Sequence, residues 1–267
     1  MNNTFDYQQS QLVVFEETIY EHGWVIFENA LGADFVEEIN EALTPAYEKR
    51  RAIQILNGIS NHMDGTLHHL VEPDNFALKF LEQQCCDQQI RQQLGGQYII
   101  NSLGAVINVK DINPYVQNVH RDIRSFTGNM KLMVMMLVAL DDFTIDNGAT
   151  YFLSGSHHHE EKPDDEYFYA HADRALAKKG SVILFDANLW HAAGRNHTDL
   201  PRRALTMAFT RPFLKQQLDY PRFLGYEYGE ELSGVLRQVL GYNARIPADL
   251  QEYYQPVPKR MYQPGQG

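Results

Sequence analysis

Four times the chain places an aspartate two residues after a histidine: His62/Asp64, His120/Asp122, His171/Asp173 and His197/Asp199. On an extended segment, side chains two residues apart share a face. The spacing therefore sets an imidazole beside a carboxylate, two ligands for one metal. A histidine from elsewhere would complete a two-histidine, one-carboxylate triad and leave one face of an octahedral ion open to substrate and oxygen. Nitrogen and carboxylate donors without thiolate suit Fe(II) better than a structural zinc.

Context separates the four pairs. His197/Asp199 lies in the polar turn "GRNHTDLP" with no histidine after it, and His62/Asp64 in the turn-like "GISNHMDGT". Asp173 reads as a cap or first-turn carboxylate of a short helix in "ADRALAKKG". His120/Asp122, in "QNVHRDIRSF", alone sits on a strand-like segment with further histidines downstream. The best third ligand is His191, delivered by the apolar "GSVILFDANLWHAAGRN". The run His157, His158, His159 follows a turn and precedes acidic residues, and is expected to be a solvated loop.

The elements that must position these residues follow from periodicity. Residues 12–30 hold an amphipathic stretch and then a strand in "GWVIFENAL". Phe35, Val36, Ile39, Leu43 and Tyr47 form one helical stripe, and residues 75–93 also read as helix. From residue 98, six short apolar or alternating segments are separated by turn signals: "YIINSLGAVINVK", "QNVHRDIRSF", "KLMVMMLVAL", "ATYFLS", "GSVILFD" and "RRALTMAFT". That density of short strands predicts a sandwich or barrel. We expect one domain over 1–267: a helical N-terminal layer to about 97, a β core over 98–213 and an extension over 214–267. Loops at 58–75 and 158–172 are candidates to cover the site.

Composition narrows the partners. Of 267 residues, 44% are apolar and 21% charged, as in a chain with a substantial core. The formal net charge of −11 disfavours nucleic acid and anionic membrane surfaces. The longest apolar run, 132–140, is too short to span a bilayer as a helix. The adjacent Cys85 and Cys86 read as reduced thiols. With no signal peptide in "MNNTFDYQQSQLVVF", the expectation is a cytoplasmic monomer or homodimer acting on a small molecule.

Four ordered segments resemble the phytanoyl-CoA dioxygenase family of Fe(II)/2-oxoglutarate-dependent oxygenases, which includes ectoine hydroxylase. They are "VHRDIRSF", "DNGATYFLSGSH", "KGSVILFDANLWHAAGRN" and "DLPRRALTMAF". The resemblance covers roughly residues 20–215. It implies a mainly β fold with flanking helices, the double-stranded β-helix of jelly-roll, cupin-like barrels. It implies Fe(II) bound by His120, Asp122 and His191, with 2-oxoglutarate and O2 as cosubstrates. Arg202, eleven residues after His191, would pair its guanidinium with the distal carboxylate of 2-oxoglutarate. Its neighbour Arg203 faces the other way on a strand. Phe126 would wall the cosubstrate pocket, and Asn108 and Thr150 would hydrogen-bond the cosubstrate. Halogenating relatives carry a small residue at the carboxylate position, so Asp122 implies hydroxylation or a related oxidation.

The chain departs from the family at Ser154, often proline there, and at Ala193, where many members have serine. Candidate substrate residues are Arg124, Tyr151, Asn188 and Arg211. Arg124 shares a face with Asp122 if the strand continues. Two other readings stand beside this one: a cupin-type metal enzyme without 2-oxoglutarate, and a non-catalytic barrel that binds a small ligand.

Overall fold

The computed structural model describes residues 3–61 and 63–266. The pair His62/Asp64 therefore falls partly outside the described residues, and Asp64 itself is engaged by Arg51 at 2.7 Å. In chain order the strands are β1 (Thr4–Asp6), β2 (Trp24–Glu28), β3 (Thr66–Leu67), β4 (Ile99–Asn108), β5 (Met133–Ala139), β6 (Tyr151–Phe152), β7 (Asp173–Arg174), β8 (Val182–Asp186), β9 (His191–Ala192) and β10 (Arg202–Thr210). They form a seven-stranded sheet ordered β1-β2-β8-β5-β10-β4-β3, faced by a three-stranded sheet ordered β7-β6-β9. The architecture is the expected double-stranded β-helix with flanking helices. The helices before the central strands are α1 (Leu12–His22), α2 (Ala33–Leu56), α3 (Phe76–Glu82) and α4 (Asp87–Leu94); α5 (Asp165–His171) lies between β6 and β7.

Strand alternation divides the large sheet into two chemistries. Val134, Met136 and Val138 of β5 and Leu205, Met207 and Phe209 of β10 join a core with Phe15, Ile19, Val36, Ile39 and Leu43 of α1 and α2. The intervening residues Met135, Ala204 and Ala208 face the smaller sheet, among Phe152, Ile183 and Phe185. Each large side chain so buried contributes about 1.5–3 kcal/mol. Antiparallel register aligns Met135 with Ala208, Leu137 with Thr206 and Ala139 with Ala204. On its other side β10 sets Ala208 opposite Ser102, Ala204 opposite Val106 and Arg202 opposite Asn108.

Several expectations need correction. The N-terminal layer gives more strand than expected: β2, read in "GWVIFENAL", pairs with β8, and β1 and β3 also join the large sheet. The helix expected over 75–93 is two, separated by Gln84 and Cys86 in the left-handed region (φ 51° and 61°). "QNVHRDIRSF" is not a continuous strand. His120 makes a single bridge to His191. The amides of Asp122 and Ile123 then both donate to the Ala187 carbonyl at 3.2 Å, which bends the chain and ends the ladder. Asp173 does not cap a helix; it lies in β7 opposite Phe152 and accepts from the Ser154 hydroxyl at 2.6 Å.

The histidine run is not a solvated loop throughout. His157 is 1% exposed, in a turn of 3-10 helix, while His158 and His159 face out. The His157 Nε2 lies 3.0 Å from the Tyr20 carbonyl. Gly23, at φ 82°, makes room for it: a Cβ there would meet His157 Nδ1 at 2.5 Å. Cys85 and Cys86 are free thiols with sulfurs 3.9 Å apart. Among the described residues, no helix is long and apolar enough to cross a membrane.

Candidate metal centre

The His191 position is built by the end of β8. There Asp186 accepts from the backbone and side-chain nitrogens of Asn188 at 2.9 and 3.1 Å, turning the chain toward β9. Asp186 is 1% exposed and also takes Lys131 Nζ at 2.6 Å, so its charge is paired. His191 then exchanges both backbone hydrogen bonds with His120, at 2.9 and 3.0 Å. Directly opposed residues of a ladder project to the same side, and the two imidazole rings lie 4.2 Å apart.

Each imidazole is oriented through its Nδ1. His120 Nδ1 lies 2.7 Å from the Asn118 carbonyl, and His191 Nδ1 2.9 Å from that of Leu189. A ring that donates from Nδ1 presents the lone pair of Nε2, the usual arrangement of a metal-binding histidine. The two Nε2 atoms flank Asp122, at 3.7 Å from Oδ1 for His120 and 3.3 Å from Oδ2 for His191. One donor atom from each of the three residues lies within 4.8 Å of the others. Burial pushes His191 down to about 4, so the ring is neutral and its nitrogen free to bind a cation.

The three donors open into a cavity of about 330 Å³ that also contains Arg202. Arg202 is 2% exposed. Its guanidinium lies 4.5 Å from the Phe143 ring centre and donates to the Gly148 carbonyl at 3.1 Å. Its Nε is buried without a partner. Desolvation pushes the group down to about 10, still cationic at neutral pH. Gly148 is required at this point: at φ 83°, a Cβ would meet the Gly194 carbonyl at 2.3 Å.

Residues 19–204 match the phytanoyl-CoA dioxygenase (PhyH) family. The chain belongs to this family. It is 43% identical over 148 residues to the uncharacterised protein Rv1501 of Mycobacterium tuberculosis, a match covering 55% of this chain and 54% of that protein. The chain thus spans about half the length of this mycobacterial relative. It is 24% identical over 256 residues to the iron/alpha-ketoglutarate-dependent dioxygenase penM of Penicillium thymicola, covering 87% of this chain and 80% of that one. Its fold is similar to HygX from Streptomyces hygroscopicus, solved with nickel and 2-oxoglutarate bound. That match has a TM-score of 0.56 at 14% identity over 78% of this chain and 88% of HygX.

Against this family's expected site, the remaining candidates divide. Thr150 and Arg124 line the cavity. Asn108, Phe126, Tyr151, Asn188 and Arg211 do not. Asn108 is buried opposite Arg202 across the β4–β10 ladder; its Nδ2 donates to the Gly194 carbonyl at 2.9 Å and its Oδ1 has no partner. Phe126 lies 5.4 Å beneath the Arg121 guanidinium. Tyr151 carries Arg174 over its ring at 4.0 Å. Asn188 braces the β8–β9 turn and binds the Thr127 hydroxyl at 3.0 Å. Arg211 donates to the Lys131 carbonyl at 3.1 Å.

Sequence reasoning missed other lining residues. Met133, Met135 and Leu137 form the cavity face of β5; their alternation within "LMVMMLVAL" was a readable signal. His68 and Tyr115 come from separate loops and meet at the rim, with Tyr115 Oη 3.4 Å from His68 Nε2. Arg121, between the two ligand candidates, stacks 4.1 Å over Trp190 and bonds the Glu160 carbonyl.

Proposed function

We propose that the protein is an Fe(II)- and 2-oxoglutarate-dependent oxygenase that hydroxylates a small molecule and releases succinate and CO2. The observation that carries this reading is one cavity holding both the His120/Asp122/His191 donor set and a buried arginine with an unpartnered Nε. The donor set fits a divalent iron: two imidazole nitrogens and one carboxylate leave positions for other ligands. Arg202 fits a carboxylate, whose oxygen would satisfy the orphaned donor. A cupin-type enzyme without this cosubstrate would leave that donor unsatisfied.

When bound, iron, 2-oxoglutarate and O2 supply an oxidant able to break a substrate C–H bond. The chain's own residues do the rest. His120 and His191 hold the metal through Nε2 while backbone carbonyls fix their rings. As the third ligand Asp122 would offset one positive charge, and a carboxylate where halogenating relatives carry a small residue favours hydroxylation over halogenation. Arg202 fixes the far end of the cosubstrate, and Gly148 holds Arg202. Thr150 and Phe185 line the same cavity. The same reading takes 1–267 as one oxygenase domain, supported by Tyr220 of the C-terminal segment, which is fully buried and bonds the Leu103 amide at 3.3 Å.

The test is anaerobic titration of Fe(II)-loaded protein with 2-oxoglutarate, followed by a substrate screen read as succinate release. A weak visible charge-transfer band and substrate-stimulated succinate are expected. Protein with iron bound and no band would sink the cosubstrate assignment.

A further inference from the structure

We propose that the substrate is an elongated, largely apolar molecule bearing one carboxylate, and that Arg124 holds that carboxylate. This rests on reading the Arg202 end of the cavity as the cosubstrate's place.

The first argument is length. The cavity floor follows alternate residues of β10 from Arg202 through Ala204 and Thr206 to Ala208. Six residue steps of strand span about 20 Å. A five-carbon diacid held between the metal donors and Arg202 fills only one end. Register places Arg124 at the other. The amides of Asp122 and Ile123 are pinned to Ala187, just after Asp186, which pairs with Val134 at the start of β5. Arg202 instead follows the end of β5, since Ala204 pairs with Ala139. Asp122 and Arg124 thus lie toward one end of the cavity and Arg202 toward the other.

The second argument is the wall chemistry beyond the donors. Met135 sits opposite Ala208, and Met133 precedes it on the same face. A small residue facing two long thioethers leaves an apolar slot that adapts to its occupant. Ser102 and Gln217 add neutral polar groups at this end.

The third argument is charge. With a divalent metal and the cosubstrate dianion in place, those two, Asp122 and Arg202 cancel. Arg121 is turned away onto the Trp190 ring at 4.1 Å and bonds the Glu160 carbonyl. Arg124 lines the cavity, is exposed to solvent, and has no hydrogen-bond or ion-pair partner among the described residues. An unpaired guanidinium there suits a carboxylate. In a chain of net charge −11, a local positive field also concentrates anions where they are needed.

The experiment uses the full chain loaded with redox-inert Zn(II). Binding of 2-oxoglutarate is measured first by calorimetry; failure here overturns the functional reading and not the substrate class. Octanoate, octanamide and acetate are then titrated into the Zn(II)/2-oxoglutarate complex. Octanoate is expected to bind roughly tenfold more tightly than octanamide, and acetate more weakly than either. Arg124→Gln should erase the preference for octanoate over octanamide, and Ala208→Phe should weaken both by filling the slot, with 2-oxoglutarate affinity retained in each. Equal binding of octanoate and octanamide, a preference that survives Arg124→Gln, absence of octanoate binding, or displacement of 2-oxoglutarate by octanoate would each overturn the proposal.

Discussion

Arg202 and Arg203 are adjacent in the chain and serve opposite sides of β10. Arg202 is buried in the cavity with its Nε free of any partner. Arg203 turns outward and grips Asp141, with its Nε at 2.9 Å, its terminal nitrogen at 2.7 Å and its backbone amide at 2.8 Å.

The pair predicts a division of labour. Arg202→Gln should weaken 2-oxoglutarate binding by roughly 10- to 100-fold, the range for losing a charged hydrogen-bond partner. Arg203→Gln should leave that affinity within about threefold, because a partly exposed ion pair is worth about 1 kcal/mol and affects stability alone. Titration of the charge-transfer band measures both. Equal losses in the two variants would mean that the strand does not partition them this way.

Asp122→Ala removes the one carboxylate of the donor set. Affinity for Mn(II), followed by electron paramagnetic resonance, should fall by at least about 100-fold, more than loss of a supporting partner costs. The two imidazoles remain oriented by the Asn118 and Leu189 carbonyls, so the far-ultraviolet spectrum should not change. Unaltered Mn(II) binding would remove Asp122 from the site.

Gly148→Ala combines a left-handed backbone with a contact of 2.3 Å to the Gly194 carbonyl. The cost should be about 2 kcal/mol or more. Urea unfolding should show a lower midpoint at an unchanged slope. Since the Gly148 carbonyl accepts from Arg202, 2-oxoglutarate affinity should fall as well. A variant as stable as the parent would show that the turn relaxes at no cost.

His157 sets a pH dependence of stability. Burial lowers it from 6.5 to about 4. The folded protein keeps the ring neutral while the unfolded chain takes up a proton between those values. Its contribution is therefore complete above pH 6.5 and is lost as pH falls toward 4, by up to roughly 3 kcal/mol. His157→Gln should flatten the loss of unfolding free energy between pH 7 and pH 4.5. Parallel slopes for the two proteins would assign the acid sensitivity to other groups.

The sequence made much of this legible, and the limits have physical causes. Strands with a strong apolar run, β4, β5, β8 and β10, are readable because burial on both faces demands such residues. His120, Asp122 and His191 stood out by order and spacing, and the fold does bring them together. The route differed from the expectation: a single bridge and a shared Ala187 carbonyl place Asp122, not a strand. Short elements such as β7 and β9 have too few residues to carry a period. His157 looked solvated because its neighbours are polar; its burial depends on Gly23, far away in the chain. His68 and Tyr115 meet only because two loops converge, which no local pattern encodes.

The alternation along β5 and β10 has a consequence for how this protein changes over time. Val134, Met136, Val138 and Leu205 answer to the helices behind the sheet. Met133, Met135, Thr206 and Ala208 answer to whatever enters the cavity. Neighbouring codons thus carry separate responsibilities. Drift at the second set can retune the molecule accepted while the first set keeps the barrel intact, so new chemistry needs no new scaffold.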